Sequence, residues 1–199
     1  MGEVPMIGRL HEIFSESFQG VAMGMMDGLI TLLGILMGVG VATENPGIVV
    51  ISGLVGGIAN SFGTSVGFYT SEQAERGQQI AFYRKKGRKN LKEGDMYIHS
   101  QNEIYLETAF AFCAGVAALI VPIIPFFLGL PVFLAMAASM LISIAMLYAL
   151  GFYIGKLNHE SRLLSGFKYA GIGTLSAIIA LLIGELLKHI ILENTIGIF

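Results

Sequence analysis

Residues 18 to 42 read FQGVAMGMMDGLITLLGILMGVGVA, a run of 25 residues whose one ionisable side chain is Asp27. At about 1.5 Å of rise per residue, an apolar helix of this length crosses the roughly 30 Å hydrocarbon layer of a bilayer. A carboxylate inside such a helix is costly unless it faces protein, water or an ion. The run therefore settles two things together: the chain lives in a membrane, and Asp27 is the first residue to ask about function.

Working outward, the composition agrees. The 199 residues are 54% hydrophobic and 13% charged, with a mean hydropathy of +0.72. That is too apolar for an ordinary soluble domain and fits an all-α polytopic membrane protein. Tryptophan is absent, so tyrosine must supply any aromatic belt. The one cysteine, Cys113, excludes an intramolecular disulfide and a cysteine-built metal site. The opening MGEVPMIGRLHEIF shows no apolar core or small-residue cleavage site, so no signal peptide is expected.

Before the run, GRLHEIFSESFQ (residues 8–19) has the spacing of an amphipathic interfacial helix, and 1–17 reads as an N-terminal amphipathic segment. After it, ATENPG (42–47) is a turn, since Asn-Pro-Gly breaks a helix. A second span covers about 47–70 and is rich in small and polar residues, a composition of tight helix contacts or a hydrated face. Residues 71–105 form the one long hydrophilic region, starting as a helical piece, SEQAERGQQIAFYRKK, and resuming near IHSQNEIYLE. A third span lies at about 106–128, with Pro122 and Pro125 expected to kink or end it. Spans four and five follow at about 131–155 and 167–187, and the tail KHIILENTIGIF either continues the last helix or lies at the interface. Residues 106–199 thus hold three spans, and the fold is five transmembrane helices with a short helical cytoplasmic region.

The basic residues orient it. Arg9 precedes span one; Arg76, Arg84, Lys85, Lys86, Arg88, Lys89 and Lys92 follow span two; Lys156, Arg162 and Lys168 flank the loop after span four. Only Lys188 falls on the other side. By the positive-inside rule the N-terminus is cytoplasmic and the C-terminus outside. The membrane is then the plasma membrane in a prokaryote or the vacuolar membrane in a eukaryote, and the compact loops favour the prokaryote.

Within span one, Met23, Asp27 and Thr31 are spaced i, i+4, i+8 and share a face. A thioether, a carboxylate and a hydroxyl one turn apart can pass a divalent cation, sulfur favouring softer transition ions. The competing reading makes Asp27 a helix cap or an interhelical anchor and Met23 packing. Gly20, Gly24, Gly28, Gly34 and Gly38 give small-xxx-small spacings for close helix approach, including approach in a dimer. On span two Asn60 and Thr64 share a face, as do Ser61 and Ser65; each pair lines the same path or bonds neighbouring helices. Ser139 and Ser143 read as packing contacts, and Glu185 as a residue that snorkels to the outer interface. Glu72 with Glu75, and Glu103 with Glu107, are acidic pairs bordering spans. Brought together they make an oxygen-rich cation site of the carboxylate-bundle kind; apart, they are a solvated surface.

Six basic residues between 84 and 92 lack interleaved aromatics and a binding fold, so they read as a topology signal and anionic-lipid contact, with no nucleic-acid partner. No Ser-His-Asp set, phosphate loop or HExxH motif is present, which disfavours a conventional hydrolase or an ATP-driven pump; no enzyme is expected, and no resident cofactor.

Several stretches resemble the vacuolar iron transporter family. GMMDGLITLLGILMGVG (24–40) carries the G-x-x-D-G-L-x-T pattern of its first helix, and SGLVGGIANSFGTSVGFYTSE (52–72) follows its second. VPIIPFF (121–127) resembles the end of its third helix, and residues 149–184 match the spacing of its last two. The resemblance implies a five-span homodimer that moves Fe2+ or Mn2+ out of the cytosol in exchange for protons, along a path between the subunits. It implies that Asp27 binds the ion, that Glu16 stands near the entrance, and that Glu72, Glu75, Glu103 and Glu107 belong to a cytoplasmic metal site. Where the family pattern reads S-M-x-x-G-E-Y, residues 63–69 read GTSVGFY, so Thr64 replaces a methionine and Phe68 a glutamate. A hydroxyl is a harder ligand than a thioether, which moves the expectation from iron towards manganese. The alternative is a non-transporting membrane scaffold or partner-binding protein that keeps the fold.

Overall fold

A computed structural model of the chain describes residues 18–85 and 101–196. They form five long helices: α1 Phe18–Thr43, α2 Pro46–Lys85, α3 Gln101–Ile123, α4 Val132–Leu157 and α5 Arg162–Ile196. A 3-10 turn, Ile124–Phe127, follows α3. All five are long and apolar enough to cross a membrane, and the protein is an integral membrane protein.

Helix ends follow the local chemistry. Glu44 takes a left-handed conformation (φ 51°) and its N–H bonds the Gly40 carbonyl at 3.0 Å, closing α1. Asn45 then caps α2, its Oδ1 accepting from the N–H groups of Gly47 and Ile48 at 2.9 and 3.2 Å. Pro46 opens the helix where a missing N–H costs nothing. The C-terminus of α4 is a Schellman closure: His159 sits at φ 56° and Glu160 N–H reaches the Gly155 carbonyl at 3.0 Å. At the proline-bearing end of α3, buried Ser139 of α4 donates to the Pro122 carbonyl at 2.6 Å, satisfying a group the interrupted helix leaves free.

One boundary differs from the sequence reading, and one alternative it left open is decided. The second span and the helical piece after it are one uninterrupted helix, so α2 runs for 40 residues, about 60 Å, well beyond the hydrocarbon layer. The final helix also runs on to Ile196, so the described part of the tail continues α5.

Helix α1 sits at the centre and packs on all four others. Leu29, Leu32, Leu33 and Leu36 are fully buried. Its glycines set the distances. A Cβ at Gly24 would lie 2.1 Å from the Ala111 carbonyl oxygen, one at Gly28 3.0 Å from that of Gly115, and one at Gly20 3.1 Å from that of Glu107. One ladder of glycines thus closes on α3. Further along, Gly38 faces Ala180, and Gly184 of α5 abuts the Gly38 carbonyl. The glycine spacing read as a possible dimer surface is therefore occupied by α3 and α5 of the same chain.

Candidate functional site

With α3 and α5 held against the glycines, α1 turns Asp27 towards α2. Asp27 lies nine residues into α1, about 14 Å along its axis, and is half-buried. Asn60 Nδ2 donates to its Oδ2 at 2.6 Å. Thr64 Oγ1, one helical turn further along α2, donates to the same oxygen. Both donors converge on Oδ2, and neither bond uses Oδ1. A carboxylate, an amide and a hydroxyl are thus gathered at one point inside the apolar bundle, all of them oxygen-bearing groups of the kind hard divalent cations select.

The second polar pair of α2 does something else. Ser61 and Ser65 are buried and donate to their own helix, to the Gly57 and Ser61 carbonyls at 2.9 and 2.7 Å. Ser61 Oγ stands 2.7 Å from where a Cβ on Gly115 would be, so Ser61 packs against α3. The two alternatives left open for span two divide cleanly: Asn60 and Thr64 reach the acid, while Ser61 and Ser65 pack. Ser139 and Ser143 pack as expected, Ser143 donating to the Ser139 carbonyl at 2.9 Å.

Of the rest of the α1 stripe, Met23 is 48% exposed and Thr31 is half-buried. Asp27 therefore belongs to a stripe of α1 that the chain's own helices leave partly open, Met23 being its most exposed residue. Gly63 and Gly67 of α2 flank Thr64, and a Cβ at either would meet nothing within 4 Å. On the side of the α1 N-terminus the site is closed by Phe68, 4% exposed, whose ring lies 3.3 Å from a Cβ placed on Gly20.

Glu16 lies outside the described residues. Glu72 is half-buried and Glu75 exposed on the extension of α2, and Glu75 accepts a hydrogen bond from Gln79 at 3.2 Å. Glu103 is exposed near the start of α3, whereas Glu107 is buried at 3% where α3 meets Gly20. Among the described residues no three His, Cys, Asp or Glu side chains lie close enough to hold one ion, so the four glutamates do not form a carboxylate bundle there.

One cluster is not read from the sequence, and one is read only in part, through Glu185 near Lys188 and His189. At the α2–α3 entrance Tyr69 and Tyr105 stack at 5.5 Å, Gln73 donates to the Tyr69 hydroxyl at 2.8 Å, and Arg76 donates to Gln101. The pairing of tyrosines at span ends was the available signal. At the other end Lys188 pairs with Glu44, tying α5 to the α1–α2 turn, while Glu185 faces His189 at 3.5 Å.

A profile of the VIT family matches residues 18–110, the stretch that contains Asp27, Asn60 and Thr64. An uncharacterized protein of the archaeon Methanocaldococcus jannaschii is 30% identical over 152 residues, covering 74% of this chain and 78% of the relative.

Proposed function

The chain belongs to the VIT family, which points to metal-ion transport, and on that premise we propose that it exports a divalent cation, Mn2+ ahead of Fe2+, from the cytoplasm in exchange for protons. The observation that carries the reading is the convergence of Asn60 and Thr64 on Asp27 inside the membrane-spanning bundle. An ion entering the site displaces these two donors from the carboxylate. Asn60 then turns its amide carbonyl, and Thr64 a hydroxyl lone pair, towards the cation beside Asp27. Protonation of Asp27 from the far side removes the charge that holds the ion and releases it; loss of that proton to the cytoplasm resets the carboxylate. The donor set is all oxygen and Thr64 replaces a sulfur ligand, which favours the harder Mn2+.

One carboxylate neutralises half of a dication. In a homodimer the partner's Asp27 supplies the other half, and the exchange becomes two protons for one ion with no net charge moved. The open stripe at Met23 and Asp27, beside the small surface of Gly63 and Gly67, suits the approach of a second copy. The charge distribution supplies the orientation: the N-terminal side, the α2–α3 connection and the α4–α5 turn face the cytoplasm.

The test is flux in proteoliposomes of known orientation. With the cytoplasmic face outward and an acidic lumen, Mn2+ enters, and dissipating the pH gradient slows it. A second reading, a non-transporting scaffold, draws on the fact that two neutral donors to one carboxylate also anchor α1 to α2. Absence of flux for Mn2+, Fe2+, Co2+ and Zn2+ in either direction, alongside a stable protein partner, overturns the first reading in favour of the second.

A further inference from the structure

The face of α4 and α5 remote from Asp27 holds a groove of about 540 Å3. Its floor is made of small residues, Ala145 on α4 with Ala170 and Gly171 on α5, and its walls of large ones, among them Leu141, Tyr148 and Phe167. Tyr148 and Phe167 meet edge to face at 5.2 Å and close the end nearer the α4–α5 turn. The groove lining is nearly all apolar: the Thr174 hydroxyl donates to the Ala170 carbonyl of its own helix at 2.9 Å, and the Tyr148 hydroxyl is the other polar side-chain group in it. A Cβ at Gly171 would meet nothing within 4 Å, so the floor is open space. Leu141 is 70% and Phe167 66% exposed, and both helices lie in the membrane-spanning bundle.

The turn beyond the closed end carries the charge. Lys156 lies in the last turn of α4 and Arg162 begins α5, and the Schellman closure folds the two helix ends together: the Arg162 Cα lies 3.2 Å from where a Cβ on Gly155 would be. Lys168 follows Phe167 and rests 6.0 Å from the centre of the Tyr169 ring. Glu160, the acid of the turn, accepts a hydrogen bond from Ser165 at 3.1 Å. Among the described residues none of the three cations pairs with a carboxylate. Lys156 is eight residues beyond Tyr148 on α4 and Arg162 five before Phe167 on α5, so these two sit roughly 8–12 Å nearer the interface than the closed end of the groove, while Lys168 lies level with it.

We propose that this groove and turn form a binding site for an anionic phospholipid of the leaflet on the side of the α4–α5 turn. One acyl chain lies over Ala145, Ala170 and Gly171, and the phosphate headgroup meets Lys156, Arg162 and Lys168. A dry apolar groove in a bilayer takes acyl chain in preference to water. The unpaired cations select the headgroup, since each Lys or Arg near the surface strengthens attraction to anionic lipid about fivefold. The site stands apart from Asp27 and does not depend on which ion, if any, the protein carries.

The absence of tryptophan makes the test direct, because one introduced indole is the only one. Leu141→Trp places it in the groove; Leu175→Trp places it one residue beyond Thr174, on a different face of α5 at similar depth and 59% exposed in the parent chain. Each variant is reconstituted in phosphatidylcholine with a minor fraction of acyl-brominated phosphatidylglycerol, then with brominated phosphatidylcholine at the same fraction. The expected result is excess quenching of Leu141→Trp over Leu175→Trp by the brominated anionic lipid alone. Gly171→Leu, which fills the floor, removes the excess, and each of Lys156→Gln, Arg162→Gln and Lys168→Gln weakens the lipid's apparent affinity about fivefold. Equal quenching at both positions, or equal quenching by the two lipids at Leu141→Trp, overturns the proposal. Protection of Leu141→Trp from both quenchers overturns it too, and places a second copy of the chain over the groove.

Discussion

Asp27→Asn separates the proposed ion-binding role of this residue from an anchoring one. Asparagine has the same shape, and its one side-chain oxygen can accept from both Asn60 and Thr64, so the α1–α2 contact at Oδ2 is kept. Two hydrogen bonds to a charged acceptor become neutral ones, a loss of about 1 kcal/mol each. Against this, a carboxylate within a span carries a penalty of about 2.5–3.5 kcal/mol, part of which the neutral amide escapes. The terms oppose each other, and the net change in stability stays below about 2 kcal/mol, a melting shift of less than about 8 °C. The ion has no such compensation. A dication about 4 Å from a carboxylate gains roughly 8 kcal/mol gross at an effective dielectric of 20. If desolvation leaves only a quarter of that, about 2 kcal/mol, affinity still falls about thirtyfold on losing the charge. Flux of Mn2+ at subsaturating concentration is read in proteoliposomes, alongside melting of the same preparation in detergent. The expected outcome is flux lost with melting nearly unchanged. Wild-type flux from Asp27→Asn would refute the ion-binding role, and flux lost only in step with a large drop in melting temperature would make Asp27 an anchor.

Thr64→Met removes a donor to Asp27 and adds a soft ligand, so competition between Fe2+ and Mn2+ for uptake moves towards Fe2+ by roughly tenfold, as a ligand change worth about 1.4 kcal/mol gives. Ser139→Ala leaves the buried Pro122 carbonyl without its donor and destabilises by about 1–3 kcal/mol; Ser143→Ala costs less, because its acceptor already belongs to the helix ladder, and thermal melts of the two variants compare them. Gly24→Ala forces α1 off the Ala111 backbone and costs about 1–3 kcal/mol, whereas Gly63→Ala, with open space around it, strains nothing and raises stability by up to about 1 kcal/mol, and melting of the two variants compares them. In a Cys113→Ala background, Asn45→Cys and Glu160→Cys are labelled by an impermeant maleimide from opposite sides, Glu160→Cys from the cytoplasm; labelling of both from one side would overturn the span order.

Much of the fold is legible in residues 18–42 because spans declare themselves by length and apolarity, and turns by Asn-Pro-Gly and proline. Where α2 stops is not, since the hydropathy signal ends near residue 70 while helical hydrogen bonding needs no apolar side chains to continue. SEQAERGQQIAFYRKK is made of helix formers with Gly77 as its one weak point, and the helix passes through it to Lys85. The site was half legible. Helical periodicity puts Met23, Asp27 and Thr31 on one face, and Asn60 with Thr64 on another. It holds no information about the register between two helices, so the bonds that join those faces come only from the packed structure. The same gap explains the glycines. A small-xxx-small stripe announces close approach without naming the partner, and here the partners are α3 and α5 of the same chain. The acidic pairs show what spacing alone leaves out: Glu103 and Glu107 lie one turn apart as read, and packing buries Glu107 against α1 while Glu103 is exposed.

The packing of α1 also explains why its carboxylate is tolerated. A central helix contacted from every side would ordinarily bury all of its faces, and a charge there would find neither water nor partner. The glycines prevent this by shrinking the contacts instead of multiplying them. Gly20, Gly24 and Gly28 bring α3 to backbone distance on one side, and Gly38 with Gly184 bring α5 equally close further along. The leucines between them complete the core. Among the faces left half-open is the stripe from Met23 to Thr31, bordered by α2 where Asn60 and Thr64 offer an amide and a hydroxyl. A larger residue at Gly24 would push α3 away and rotate α1, carrying Asp27 out of reach of Asn60 and Thr64. The glycine ladder is thus the element that aims the acid, and the Gly24→Ala variant should lengthen the Asp27–Asn60 contact before it unfolds the bundle.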